Sequence, residues 1–121
     1  MKKLTQKEEE ILKYFWQQGP MFVRDLLDLQ EEPKPHYNTL STIVRTLEEK
    51  GYIGFKQYGN TYQYYALISE DEYSKSSLNN VVDKYFANSY TRVVSTLIEE
   101  EKLSLDELQD LIRQIKSQEK K

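Results

Sequence analysis

The sequence predicts a mainly α-helical protein that contains one small β-hairpin. Three observations support this fold class. Apolar residues recur at helical spacing in several segments of the 121-residue chain, two β-prone runs meet at Gly59-Asn60, and glycines and prolines separate the segments. The predicted order is helix, short strand, helix, helix and hairpin, followed by three further helices.

The first helix is predicted over about residues 5 to 18. Thr5 is a suitable N-cap, and acidic residues follow it in the first turn. Gly19-Pro20 ends the helix. The apolar residues at helical spacing, which we expect in the core, are Ile11, Leu12, Phe15 and Trp16.

A short extended piece at residues 21–23 and a brief second helix come next. The second helix ends before Pro33 and Pro35, because two prolines two positions apart forbid a helix there. Its apolar positions are Val23, Leu26, Leu27 and Leu29.

The third helix, over about residues 37 to 50, has the clearest periodicity of the N-terminal half. Its apolar residues occupy positions i, i+3, i+4 and i+7, and Lys50-Gly51 provides a cation and a glycine at its end. These apolar residues are Leu40, Ile43, Val44 and Leu47. Residues 52–58 and 61–67 then form the two strands of the hairpin, with Gly59-Asn60 as a two-residue turn.

This order of elements is that of a winged helix-turn-helix, in which the third helix enters the DNA major groove and the hairpin forms the wing. A helical wheel places Asn38, Thr42, Arg45 and Glu49 opposite the apolar stripe of the third helix, with Ser41 beside them. Arg grips guanine and Asn grips adenine through paired hydrogen bonds, while Ser and Thr contact thymine methyls or phosphates. The alternative is that these residues are merely the solvated side of a surface helix.

Other candidate contacts flank the third helix. His36 precedes it, where an imidazolium or backbone N–H groups would meet a phosphate, and Lys56 and Tyr58 lie on the wing. The full set of candidate DNA-binding residues is Lys34, His36, Tyr37, Asn38, Ser41, Thr42, Arg45, Lys56 and Tyr58.

The last 50 residues predict three short amphipathic helices. Capping boxes at Ser69 to Glu72 and Ser104 to Glu107 open two of them. Because helices this short need a partner surface, we expect a winged-helix DNA-binding domain over residues 1–68 and a helical homodimerisation region over residues 69–121. The alternative is that they fold back on the winged helix of their own chain. The predicted dimerisation residues are Val93, Val94, Leu97, Ile98, Leu105, Leu108, Leu111, Ile112 and Ile115.

Composition excludes much chemistry. With no cysteine and one histidine, the chain has no thiol nucleophile and no zinc site, and it lacks the spacing of a Ser-His-Asp triad, a phosphate loop or a dinucleotide fingerprint. We therefore expect no enzyme activity, no metal and no cofactor. The chain also lacks a membrane-spanning apolar run and the apolar stretch of a signal peptide, so we expect no membrane insertion and a cytoplasmic location.

The net charge of −3 is unusual for a DNA-binding protein. Residues 1–68 are balanced, with 9 basic and 9 acidic side chains, so the acid excess belongs to residues 69–121, with 8 and 11. Within residues 34–47 the charged side chains are Lys34 and Arg45, which makes this stretch locally positive. The acidic total keeps one alternative function open, a winged helix that binds protein and not DNA.

Several short motifs, taken together in their order and spacing, resemble the penicillinase-repressor family of bacterial transcriptional regulators over nearly the whole chain. The motifs are Leu4-Thr5, Glu8 to Trp16 with Gly19-Pro20, Asn38-Thr39 with Thr42, Arg45 and Leu47, Lys50-Gly51-Tyr52-Ile53, and Tyr62-Gln63-Tyr64-Tyr65. The resemblance implies a homodimeric repressor of antibiotic-resistance, stress or metal-export genes that binds double-stranded DNA at an inverted-repeat operator.

The sequence also departs from that family. The cysteine cluster of copper-responsive relatives is absent, so copper sensing by that route is excluded. The resemblance implies a membrane sensor-protease as a partner and aligns its release site with Thr96-Leu97, but the Asn-Phe pair of those relatives is missing here, which argues against cleavage at this bond. Arginine stands at position 45, whereas several relatives place it at the positions of Ser41 and Thr46, so the operator bases should differ.

Overall fold

The structure, a computed structural model, describes residues 2–119. Its elements in chain order are α1 (Gln6–Gln18), β1 (Met21–Phe22), α2 (Val23–Asp28), α3 (Tyr37–Glu49), β2 (Ile53–Tyr58), β3 (Thr61–Ala66), α4 (Glu70–Tyr85), α5 (Tyr90–Glu99) and α6 (Leu105–Glu119). The mainly α-helical fold with a small hairpin is thereby confirmed. Val23 begins α2 instead of ending the strand, and Leu29 caps α2 instead of lying within it.

The chain divides into two compact units, one up to Ser74 and one from Lys75 onward. This division falls within α4, a few residues later than the expected break between residues 68 and 69. The assignment of DNA binding to residues 1–68 and of dimerisation to residues 69–121 stays a prediction.

The three strands form one antiparallel sheet in the order β1-β3-β2. The hairpin turn is Gly59-Asn60, in which Gly59 takes a φ of 60°, as a two-residue turn with glycine in first place requires. β1 pairs Met21 with Tyr64 and Phe22 with Gln63, a pairing that the sequence did not predict. Through it, the start of α2 lies beside the hairpin.

One hydrophobic core joins α1, α2 and α3 to the sheet. Its members that are less than 2 % exposed are Ile11, Leu12, Leu26, Leu40, Val44, Leu47 and Ile53. Trp16 is half-buried at its edge and donates its indole N–H to the backbone oxygen of Ile68 at 2.9 Å. The Tyr73 ring, in the first turn of α4, lies 5.6 Å from the Trp16 ring and 5.8 Å from that of Tyr52. These contacts attach the start of α4 to the winged-helix core.

Both capping boxes expected from the sequence are present, that of Ser69 and Glu72 in the first unit and that of Ser104 and Glu107 in the second. The Ser104 hydroxyl accepts the backbone N–H of Glu107 at 3.1 Å, and the Glu107 carboxylate accepts that of Ser104 at the same distance. Ser89 caps α5 in a similar way by accepting the N–H of Arg92. Apolar side chains of α5 and α6 stay exposed, namely Leu97 39 %, Leu105 64 %, Leu111 45 %, Ile112 42 % and Ile115 54 %. Among the helices within residues 2–119, none has both the length and the apolar character needed to cross a membrane.

Candidate nucleic-acid interface

The outward side of α3 carries the polar residues that the helical wheel predicts. Asn38, Thr42, Arg45 and Glu49 are exposed, and Ser41 is half-buried next to them. The opposite side buries Leu40, Val44 and Leu47. The helix is therefore fixed by its apolar side and presents a defined polar side to solvent, while contact of that side with DNA stays a prediction.

Arg45 is the exposed cation of this surface. Its Nε lies 3.5 Å from the backbone oxygen of Ser41, which is the outer limit of a hydrogen bond. Within residues 2–119 its guanidinium makes no ion pair. The two terminal nitrogens are thus free to form the paired hydrogen bonds by which Arg reads guanine.

Two threonine hydroxyls of α3 already donate hydrogen bonds within the helix. Thr42 donates to the backbone oxygen of Asn38 and Thr46 to that of Thr42, each at 2.9 Å. A hydroxyl has one hydrogen, so in this rotamer Thr42 presents its methyl group and not a donor. This favours a thymine methyl over a phosphate as its target.

His36 has a local structural role that the sequence did not predict, while its contact with a phosphate stays a prediction. It is the N-cap of α3, and its Nδ1 accepts the backbone N–H of Asn38 at 3.1 Å. Nδ1 is therefore used within the chain as a hydrogen-bond acceptor, and the Asn38 N–H is not available to a phosphate. His36 retains Nε2 as its donor toward a phosphate.

The remaining candidates lie on the loop and the wing. Lys34 donates to the backbone oxygen of Asp28 at 3.2 Å and so braces the loop before α3. Lys56 lies with its ammonium 5.4 Å from the centre of the Tyr58 ring, and that ring packs edge-on against Phe22 at 5.9 Å. Lys56 and Tyr58 therefore form one neighbouring pair on the wing, held against β1.

A cleft of about 380 Å³ opens between the starts of α2 and α3 and strand β3. Tyr37 and Ser41 line it together with Arg24, Tyr62 and Tyr64. Sequence reasoning did not single out Arg24, because only the pairing of β1 with β3 brings α2 beside the hairpin. Burial raises the pKa of Tyr64, and Glu48 raises it further while Arg45 opposes the shift, so its phenol stays protonated near neutral pH.

A partly buried ion pair supports the far end of α3. The Lys50 ammonium donates to Glu8 Oε1 at 2.7 Å and to the backbone oxygen of Lys3 at 3.0 Å. The same Glu8 oxygen accepts the N–H of Thr5 at 2.8 Å, and the Thr5 hydroxyl accepts the N–H of Glu8 at 3.2 Å. Sequence reasoning treated Glu8 as an ordinary first-turn acid and Lys50 as a helix-end cation. Together they join the start of α1 to the end of α3.

Burial by itself would raise the pKa of Glu8, but the hydrogen bonds from Lys50 and the Thr5 N–H, with the Lys50 charge, hold it below its ordinary value of 4.5. We expect Glu8→Gln to lower the free energy of unfolding by about 2 kcal/mol at pH 7, because it leaves the Lys50 ammonium without its counter-charge. A depressed folded-state pKa stabilises the fold above pH 4.5, and the gain is lost as pH falls through the folded pKa. In urea denaturation, Glu8→Gln should therefore have a lower free energy of unfolding than the unaltered protein at pH 7. This difference should shrink below about pH 4.

Glu10→Gln is the matched control, because Glu10 makes only an exposed contact of 4.0 Å with Lys7. It should change the free energy of unfolding by less than about 0.5 kcal/mol. A Glu8→Gln protein as stable as this control would show that the buried pair adds nothing.

Comparison with known proteins matches this architecture to one family. The family model described as penicillinase repressor matches residues 4–117. The methicillin resistance regulatory protein MecI of Staphylococcus aureus (strain N315) is 24 % identical over 111 residues, which cover 89 % of each chain. An uncharacterised 16.5 kDa protein of Latilactobacillus sakei is 24 % identical over 110 residues, covering 89 % of this chain and 75 % of its own.

Among solved structures, a transcriptional regulator from Thermotoga maritima aligns with a TM-score of 0.48 and 20 % sequence identity, covering 97 % of this chain and 80 % of the other. The family assignment is independent of this alignment, because the family model alone spans nearly the whole chain. The chain belongs to the penicillinase repressor family of transcriptional regulators.

Proposed function

We propose that the protein is a sequence-specific DNA-binding repressor that acts as a homodimer on an inverted-repeat operator. The observation that carries this proposal is the polar side of α3, where Asn38, Thr42 and Arg45 are exposed and the Arg45 terminal nitrogens are unpaired, while the other side of the helix is locked in the core. Such a helix is the reading element of a winged helix-turn-helix.

In this proposal α3 lies in the major groove. Arg45 reads guanine, Asn38 reads adenine, and Thr42 contacts a thymine methyl, with Ser41 at the edge of the base-reading surface. Contacts to the DNA backbone hold the register. The backbone-contacting residues are Lys34, His36 and Tyr37 before or at the start of α3, and Lys56 and Tyr58 on the wing.

We expect Arg45→Ala to cost about 1 to 3 kcal/mol of specific binding and to relax specificity at one base position per half-site. Affinities for the operator and for random DNA, measured by fluorescence anisotropy, check this. Arg45→Lys is the matched control, because it keeps the charge and loses the paired hydrogen bonds, so it should keep non-specific binding and lose specificity. If Arg45→Ala lowers the affinity for the operator and for random DNA equally, Arg45 contacts a phosphate and not a base.

The overall function is tested by retardation of the DNA upstream of its own gene. A repressor should bind this fragment with affinity that falls steeply as salt rises, because each phosphate contact releases counterions. The net charge of −3 favours a second candidate, a winged helix that binds protein. Failure to bind DNA at low salt, together with capture of a defined protein partner, would support that candidate instead.

The proposed homodimer forms through the second unit. Its exposed apolar residues on α5 and α6 need cover, and a second copy of the same helices is the economical partner. Their interface residues are Val93, Val94, Leu97, Ile98, Leu105, Leu108, Leu111, Ile112 and Ile115. A two-fold axis relates the two α3 helices, so we expect operator half-sites whose centres lie about 10 base pairs apart or a multiple of that.

The staphylococcal relatives are named for methicillin resistance, so resistance genes are the first targets to examine. Release by a membrane sensor-protease at Thr96-Leu97 would require cleavage of a bond within a helix. That bond lies inside α5, where the Thr96 oxygen accepts the N–H of Glu100 at 2.9 Å and the Leu97 oxygen that of Lys102 at 2.8 Å. A protease would have to unwind α5 first. Acting on the chromosome, the repressor works in the cytoplasm.

A further inference from the structure

We propose that the cleft between the starts of α2 and α3 and strand β3 binds a small planar aromatic acid, and that the bound acid competes with DNA. Binding in the cleft stands on the geometry alone, whereas the competition rests on the function proposed above. The cleft volume of about 380 Å³ lies in the range of small-molecule sites and fits one or two fused rings.

Aromatic rings form the walls of the cleft, and other rings hold them in place. Tyr62 packs against Phe55 with ring centres 4.8 Å apart and against Tyr64 at 6.4 Å. Tyr37 and Tyr62 are nevertheless 44 % and 42 % exposed. The ring contacts therefore hold Tyr62 in place, and part of each of the two exposed rings stays available for stacking on a planar ligand.

The polar groups of the cleft select an acid. Arg24 is its cation, and within residues 2–119 the Arg24 guanidinium, the Ser41 hydroxyl and the Tyr64 phenol make no hydrogen bond or ion pair. The lining also holds one acid, Asp25, whose Oδ2 accepts the N–H of Phe22 at 3.1 Å in the cap of α2. An excess of free donors beside aromatic walls fits a carboxylate attached to an aromatic ring.

The position of the cleft couples it to DNA binding. Tyr37 and Ser41 belong both to its lining and to the surface that we assign to DNA. A ligand there occupies space that the DNA needs and adds a negative charge facing the phosphates. Such a ligand therefore needs no conformational change to lower operator affinity.

The test is a titration of the ¹⁵N-labelled full chain with 2-naphthoate, followed by amide chemical shifts. We expect saturable shifts at Arg24, Ser41 and Tyr62, with a dissociation constant on the order of 0.1 to 1 mM. Arg24→Gln should weaken naphthoate at least about tenfold, because it removes the charged partner of the carboxylate. The uncharged 2-naphthamide should bind the Arg24→Gln protein and the unaltered protein equally.

Arg92→Gln is the matched control, since Arg92 is an exposed arginine of α5 that does not line the cleft, and it should bind naphthoate like the unaltered protein. Non-saturable or scattered shifts, or undiminished binding by Arg24→Gln, would overturn the proposal. If Arg24→Gln weakens DNA binding while naphthoate leaves the cleft amides unmoved, Arg24 is a DNA-backbone contact and the proposal is likewise overturned.

A second experiment measures operator binding in the presence of naphthoate and so tests the acid site separately from the proposed function. Saturating naphthoate should release the operator from the unaltered protein and not from Arg24→Gln. Cleft shifts without any DNA binding by the protein would refute the repressor and leave the acid site standing. Cleft shifts with operator binding unchanged by naphthoate would refute the competition.

Discussion

Leu97→Asp is expected to convert a dimer into a monomer and to abolish operator occupancy. Leu97 lies on α5 among the predicted interface residues and is 39 % exposed in the single chain, so a second copy has apolar surface to cover there. An unpaired carboxylate buried in that contact costs several kcal/mol. Analytical ultracentrifugation gives the mass, and footprinting gives the occupancy.

Ser95→Asp provides the control for Leu97→Asp. It introduces the same charge into the same helix at an exposed position that points away from the interface stripe. This protein should stay dimeric and keep its footprint. If Leu97→Asp also stays dimeric with a normal footprint, the interface lies elsewhere, and cleavage at Thr96-Leu97 loses its proposed effect.

Deleting residues from Ser89 onward should leave a folded, monomeric winged helix whose operator affinity falls about 100-fold or more. The core that joins α1, α2, α3 and the sheet lies wholly before the cut, as do the contacts of Tyr73 with Trp16 and Tyr52. Affinity falls because each half-site is then bound by one domain that is not linked to a second DNA-binding domain. Far-UV circular dichroism with thermal unfolding checks the fold, and fluorescence anisotropy checks the affinity.

Replacing residues 89–121 by an unrelated parallel dimeric coiled coil on a flexible linker should restore most of the lost affinity. This rescue distinguishes loss of pairing from damage to the DNA-binding surface. A truncated chain that binds its operator at full strength would contradict the dimer proposal.

The helices and the hairpin were predictable because their signals are local. Thr5 and Ser104 mark helix starts through their own capping bonds, and Gly59-Asn60 marks the turn through the backbone freedom of glycine. The pairing of β1 with β3 was not predictable. Two residues are too few to show an alternating pattern, so nothing in Met21-Phe22 specifies a partner strand.

In the candidate interface, too, the sequence predicts some features and not others. The exposed side of α3 follows from the spacing of Leu40, Val44 and Leu47, which sequence alone reveals. The place of Arg24 beside the hairpin and the pairing of Glu8 with Lys50 depend on tertiary geometry. The capping bond of His36 is local, but histidine is not among the residues that usually cap a helix start. Glu8 and Lys50 are 42 positions apart in sequence, and no periodic pattern connects them.

The ion pair between Glu8 and Lys50 also anchors α3 through two residues that lie outside the helix. Lys50 follows the last residue of α3, and Glu8 lies on α1, so both fall outside residues 37–49. A helix transplanted from a relative into those positions would keep the same anchor, provided that it retains the three buried apolar residues. If α3 reads DNA as proposed, new operator preferences follow from changes on the outward side of this one helix, while the ion pair that anchors it is kept.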